Sequence, residues 1–146
     1  IVLNPSPLAD IVDTVPLELV DLLLVNEEEA CLIGGGATAQ ESAGRLRERY
    51  PQMTVICTLG KKGAIVYGEE EAFFPSYNVK AVDTTGAGDT FLGFYVGSMV
   101  KNMGVDECLK CATAAAALSI QKKGASTSIP TLTEVEQFIA DMTTKG

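Results

Sequence analysis

The amino-acid sequence predicts an α/β fold, a mostly parallel sheet flanked by helices on both faces with an added antiparallel hairpin. Short apolar runs typical of buried strands, at residues 22–26 and 53–58, alternate with stretches of helical character. This alternation is typical of parallel sheets whose crossover helices cover both faces. The hairpin is predicted where residues 64–67 and 72–74 flank a run of glutamates, which is typical of a solvated turn.

The remaining elements follow from capping residues and breakers. Thr38 and Glu41 form a capping box that opens a helix, and Pro51 stops that helix after Tyr50. Thr131 with Glu134 opens the last helix in the same way. The further predicted elements are a strand at residues 1–3, helical segments at 17–22, 27–33, 87–101 and 106–122, an extended segment at 77–82, and an end of the last helix near Asp141.

Composition excludes several classes of function. The 146 residues are enough for one domain, and 47% hydrophobic with 21% charged residues is ordinary for a globular protein. A net charge of −8 argues against a nucleic-acid surface, although local backbone amides and lysines can still hold phosphates. The chain has no histidine, so catalysis by a Ser-His-Asp or Cys-His set within it is excluded.

The cysteines and the chain ends carry less information. The spacing of Cys108 and Cys111 suits zinc or redox chemistry, but their alanine-rich surroundings favour two small core residues on a helix. We expect a reducing, cytoplasmic environment and no membrane segment, since no stretch is long and apolar enough to span a bilayer. The chain opens on an apolar strand without Met, so we expect it to be a partial domain.

The glycine-rich loop at residues 83–89, with the sequence DTTGAGD, carries the chemistry. Gly86 and Gly88 lack Cβ atoms, so backbone amides can approach an anion, and the following helix adds its free N–H groups and its dipole. Asp89 lies among these anion-binding amides and could accept a proton from an alcohol. A base beside an anion hole is what phosphoryl transfer requires. The simpler interpretation is a plain turn with an N-terminal helix carboxylate.

The loop is neither a P-loop nor a dinucleotide fingerprint, because GxxxxGK[ST] is absent and position 91 of the GxGxxG frame is Phe. It resembles the DTxGAGD signature of the PfkB/ribokinase family of carbohydrate kinases. The resemblance extends along nearly the whole chain and is most like the ribokinases. Its further motifs are NPSP at residues 4–7, NEEEA at 26–30, TLGKKG at 58–63, AAAA at 114–117 and KGASTSIP at 123–130.

The resemblance implies a ribokinase-like fold and a role for each matching residue. Asp89 is the implied catalytic base, and the backbone of Gly86, Ala87 and Gly88 is the implied anion hole. The residues implied to bind ATP are Asn26, Thr58, Leu59, Gly60, Lys61, Lys62, Gly63, Gly88, Asp89 and Thr113. Alternatives from the residues alone are a helix cap at Asn26, a solvated hairpin turn at residues 58–63 and simple packing of Thr113.

The resemblance also implies metal ions. Asn26 and Glu29 would organise Mg²⁺ and the phosphates, largely through water, as oxygen ligands suit Mg²⁺. A monovalent cation, K⁺, would lie beside the anion hole. The implied K⁺ positions, several of them backbone carbonyls, are Asp83, Thr85, Ser119, Lys122, Gly124 and Ser128.

The expected activity is ATP-dependent phosphorylation of a primary hydroxyl of ribose or a close relative. Family members are considerably longer, and nothing in this chain matches the N-terminal half that carries the sugar site and lid. We therefore expect residues 1–146 to be the C-terminal, ATP-binding and catalytic portion of a ribokinase-like domain, and the isolated chain to be slow or inactive. We expect a homodimer in the longer protein. The alternatives are a fructokinase or nucleoside kinase of the same family, and a non-catalytic nucleotide-binding module, against which the intact Asp89 argues.

Overall fold

The computed structural model of the chain describes residues 1–7 and 14–146. A five-stranded sheet holds its strands in chain order from β1 to β5. The strands are β1 (Val2–Leu3), β2 (Leu22–Asn26), β3 (Thr54–Thr58), β4 (Gly63–Tyr67) and β5 (Ala72–Pro75). The first three strands are parallel, β4 runs antiparallel to β3, and β5 lies beside β4. The predicted mixed sheet with helices is therefore confirmed.

The helices are α1 (Glu27–Gly34), α2 (Ala39–Arg49), α3 (Ala87–Val100), α4 (Val105–Ser119) and α5 (Leu132–Thr144). Three predicted boundaries differ, and one of them is the end of α5, which runs to Thr144 and not to Asp141. The patch predicted at 17–22 is a 3-10 helix at Leu17–Leu19 only, because Leu22 already belongs to β2. Helix α4 ends before Lys122, because the amides of Gln121 and Lys122 donate to the carbonyls three residues back, those of Leu118 and Ser119, and not to the carbonyls four residues back.

The chain divides into two compact units. Unit 1 comprises Ile1–Gly60 and Ala64–Phe73, and its core joins the parallel strands to α1 and α2. Leu23 of β2 and Val55 of β3 are fully buried among Ala30 and Ala43 of the two helices. Burying such side chains stabilises a fold by roughly 1.5–3 kcal/mol each.

Unit 2 comprises Lys61–Gly63 and Phe74–Gly146, and packs α3 against α4 and α4 against α5. Cys108 and Cys111 are buried on α4, and Cys111 lies in a core cluster with Val135 of α5. Burial raises the pKa of the Cys108 thiol. Both cysteines thus occupy packing positions, as the alanine-rich context predicted.

Within residues 1–7 and 14–146, no helix combines the length and the apolar character needed to cross a lipid bilayer.

Candidate active site

The glycine-rich loop of unit 2 leads into α3 through a left-handed glycine. Gly86 is the N-cap of α3, with φ 77°, and Ala87 to Asp89 form the first helical turn. The amide of Ala87 donates to the Thr84 carbonyl at 3.2 Å. In the part of the chain that the structure describes, the amides of Gly88 and Asp89 have no backbone acceptor. These amides and the helix dipole make the turn suited to an anion.

The two glycines of this turn differ in their surroundings. A Cβ on Gly86 would lie 3.3 Å from Cβ of Ala125, and the positive φ would strain it further. A Cβ on Gly88 would meet nothing within 4 Å, so the space in front of that residue is open. Gly86 therefore shapes the turn, whereas Gly88 leaves room for a ligand beside it.

Asp89 and Thr90 follow directly. Asp89 is exposed in the first turn of α3, where the helix dipole favours a negative charge. Thr90 is only 3% exposed, and its hydroxyl has no hydrogen-bond partner among the described residues. The Asp89 side chain is open to solvent and forms no hydrogen bond within the described residues.

Asp83 connects this loop to a second one. Its Oδ1 accepts the Thr85 amide at 3.0 Å, and its Oδ2 accepts the Gly124 amide at 3.1 Å. The hydrogen bonds from Thr85 contribute most, and the bond from Gly124 adds to them. Together they lower the pKa of the Asp83 carboxyl to about 2. At neutral pH Asp83 is therefore an anion held by two loops.

The residues after α4 form this second loop. Ser119 donates to the Ala116 carbonyl at 2.8 Å, and Ser128 donates to the Ala125 carbonyl at 2.9 Å; both serines are about 1% exposed. Lys122 forms a 3.6 Å ion pair with Glu134 of α5. The six positions suggested for K⁺ all belong to unit 2, and the bond between Asp83 and Gly124 brings their two segments together.

In unit 1, Asn26 and Glu29 form a reciprocal capping box at the start of α1. The Asn26 side chain accepts the Glu29 amide at 2.8 Å, and Glu29 Oε2 accepts the Asn26 amide at 3.0 Å. Asn26 lies opposite Thr58 in the parallel register, so these residues meet at the carboxyl ends of β2 and β3. In parallel sheets this edge is where ligands bind.

The segment after Thr58 changes direction sharply. Gly60 has φ 55°, and a 3-10 turn at Gly60–Lys62 exposes Lys61 and Lys62. Gly63 has φ 124°, and a Cβ there would lie 2.1 Å from the Phe74 carbonyl oxygen, so only glycine fits. Leu59 packs partly against the core of unit 1.

Thr113 lies in the middle of α4 and is 6% exposed. Its hydroxyl has no partner within the described residues, and a contact of Thr113 with adenine stays a prediction. Sequence reasoning missed the contact of Ala125 with Gly86 and the ion pair of Lys122 with Glu134. Neither pair carries a local sequence signal, because each joins residues distant in the chain.

Comparison with known proteins agrees with these features. Residues 1–132 match the model of the pfkB family of carbohydrate kinases. A ribokinase from Haemophilus influenzae is 39% identical over 95% of this chain and 47% of its own length. The chain thus spans about half the length of the curated relatives it matches.

Solved structures show the same fold. A ribokinase from Thermotoga maritima matches with a TM-score of 0.83 and 34% identity over 94% of this chain and 48% of that chain. A putative ribokinase II from E. coli, solved in complex with ATP and Mg²⁺, matches with a TM-score of 0.84 and 27% identity over 96% and 48%. A fructokinase from Vibrio cholerae matches with a TM-score of 0.76 and 28% identity over 84% and 42%.

Proposed function

Because the chain belongs to the pfkB family of carbohydrate kinases, we propose that the protein containing it transfers the γ-phosphoryl group of ATP to a sugar hydroxyl. Ribose is the favoured acceptor, with ribose 5-phosphate as the product, since a ribokinase is 39% identical over 95% of the chain. The observation that carries this proposal is the Gly86–Asp89 turn. It places amides without backbone acceptors and an exposed carboxylate in one helical turn.

The proposed chemistry divides between the side chain and the backbone of this turn. Asp89 removes the proton from the attacking hydroxyl. The amides of Gly86, Ala87 and Gly88 stabilise the negative charge on the phosphoryl group during transfer. The Ala87 amide already donates to Thr84, so Gly88 offers the more available donor of that pair.

The proposed nucleotide contacts come from the segment around Thr58–Gly63 and from Thr113. Gly60 allows the backbone to lie close to a ligand, and the exposed Lys61 and Lys62 can approach phosphates. The unpartnered hydroxyl of Thr113 would gain a hydrogen-bond partner if the adenine lay beside it.

Asn26 and Glu29 fit a role in organising Mg²⁺. Oε2 of Glu29 is used in the cap, while Oε1 carries no hydrogen bond among the described residues. One carboxylate oxygen and nearby amide oxygens suit Mg²⁺, which keeps much of its water. When bound, the ion would neutralise charge on the phosphates.

The second loop fits a monovalent cation. Asp83 supplies a carboxylate that is ionised at neutral pH, and buried Ser119 and Ser128 supply hydroxyl oxygens beside backbone carbonyls. Large monovalent cations such as K⁺ prefer carbonyl and hydroxyl oxygens, as in the carbonyl-lined filters of K⁺ channels. The same proposal includes a cytoplasmic homodimer acting on a small sugar and ATP.

Two alternatives remain. A fructokinase is supported by the similarity to the fructokinase of Vibrio cholerae, 28% identical over 84% of the chain, and a nucleoside kinase by that to an aminoimidazole riboside kinase from Salmonella enterica, 30% identical over 89%. A non-catalytic nucleotide-binding module would explain the turn without using the exposed Asp89 as a base.

The test is ADP release from the intact protein with Mg²⁺-ATP and KCl, with ribose, fructose, adenosine or no acceptor. The proposal expects ribose to give the highest kcat/KM. Preference for fructose or adenosine would select the first alternative. ATP binding without acceptor-dependent ADP release would select the non-catalytic module.

A further inference from the structure

The left-handed conformation of Gly86 is not fixed by Gly86 itself. Glycine populates positive and negative φ about equally, so a glycine N-cap needs outside contacts to hold one conformation. The required conformation matters here, because Gly86 directs the amides of the first turn of α3. The structure offers such a contact in the loop after α4.

Ala125 supplies that contact. A Cβ built on Gly86 would lie 3.3 Å from Cβ, 3.5 Å from Cα and 3.8 Å from the carbonyl oxygen of Ala125. Ala125 therefore fills the space on the side of Gly86 toward which a side chain would project. Ala125 is itself exposed, so its substitution leaves the buried core of unit 2 intact.

The loop that carries Ala125 is held on both sides. The Gly124 amide donates to Asp83 Oδ2 at 3.1 Å, and the buried hydroxyl of Ser128 donates to the Ala125 carbonyl at 2.9 Å. Thr127 donates to the Lys123 carbonyl at 3.2 Å. These bonds fix the alanine methyl group in position against the Gly86 turn.

We propose that Ala125 is a positioning residue for the anion hole: its methyl group braces Gly86 and so keeps the first-turn amides of α3 aimed at the transferred phosphoryl group. This role rests on the proposed kinase function. It assigns catalytic importance to a side chain without any polar group. Misplacement of catalytic donors by fractions of an ångström to 1 Å is known to lower rates strongly.

The test compares Ala125→Gly with Ala125→Ser and Ser126→Gly in the intact protein. Ala125→Gly removes the methyl group. Ala125→Ser keeps a Cβ, and Ser126→Gly adds the same backbone freedom one residue further without touching Gly86. With saturating KCl, we expect Ala125→Gly to lower kcat about tenfold with less than a twofold change in the KM for ATP. The other two variants should stay within about twofold of the parent.

Deuterium exchange gives a readout that does not depend on activity. Peptides covering residues 83–91 should exchange faster in Ala125→Gly than in Ser126→Gly. Equal exchange in the two variants, or equal kcat, would overturn the positioning role. Recovery of kcat in Ala125→Gly when KCl is raised above the concentration that saturates the parent would also overturn it, because the effect would then belong to cation binding. An inactive parent would instead refute the proposed function, while the exchange comparison would still test the brace.

Discussion

Asp89→Asn is the substitution that separates a catalytic base from a structural helix residue. Asparagine keeps the size of the side chain and one acceptor oxygen but cannot take up the proton of a substrate hydroxyl. We expect kcat to fall by about 10²–10⁴-fold, which corresponds to about 2.7–5.5 kcal/mol of transition-state stabilisation. ATP binding should change little.

The structure predicts a much smaller effect on stability. Asp89 is exposed, and its carboxylate has no hydrogen bond to the described residues, so the substitution breaks no contact there. What it removes is the interaction with the helix dipole, worth about 0.3–1 kcal/mol at a surface position. The catalytic effect therefore exceeds the stability effect several-fold.

Asp106→Asn is the matched control, because Asp106 is also an exposed aspartate in the first turn of a long helix, α4. The assay is ribose-dependent ADP release, with nucleotide affinity by calorimetry and stability by urea unfolding. Asp106→Asn should reproduce the small stability loss and keep full activity. Asp89→Asn turnover within tenfold of the parent would refute the assignment of Asp89 as the base.

Three further substitutions test the surroundings of the site. Asp83→Asn should lower the Tm at pH 7. Because the pKa of Asp83 falls from 3.8 to about 2 on folding, the difference in Tm between the parent and the variant should be largest above about pH 4 and shrink toward pH 2. A Tm difference that stays constant with pH would contradict this. Gly88→Ala should keep or raise the Tm, since the added methyl group meets no atom within 4 Å. The same methyl group should lower kcat, because it enters the proposed anion hole. An unchanged kcat would place the anion elsewhere. Gly63→Ala should cost more than about 2 kcal/mol in urea unfolding, because its Cβ would lie 2.1 Å from the Phe74 oxygen, whereas Gly44→Ala, with open space, should cost nothing.

Helix starts were predictable from the sequence because their causes are local. Thr131 accepts the Glu134 amide and Glu134 accepts the Thr131 amide, as the capping-box pattern predicts. Thr38 keeps half of the pattern: its hydroxyl accepts the Glu41 amide at 3.1 Å, but Glu41 accepts the Ala37 amide at 2.9 Å. All these partners lie within four residues of each other, so a short sequence window contains the whole interaction.

Helix ends and loop contacts were less predictable because their causes are distant in the chain. Helix α4 was predicted to reach Lys122, yet it gives way after Ser119 to a loop whose Gly124 amide bonds to Asp83. Asp83 and Gly124 are 41 residues apart. Helix propensity and hydrophobic periodicity are read from neighbouring residues, so they do not reveal a bond between residues this far apart in the chain.

The same distinction explains why the candidate site was only partly visible in the sequence. Backbone amides that hold an anion need glycines and a helix start at fixed spacing, so the string from Asp83 to Asp89 retains a long pattern. A positioning residue of the kind proposed for Ala125 needs only a small side chain at the right distance, which a single alanine provides. Ala125 therefore looks like any loop residue, although its Cβ lies only 3.3 Å from the position that a Cβ on Gly86 would take. The groups proposed to perform the chemistry are thus visible in the sequence, while the residue proposed to position them becomes visible only in the fold.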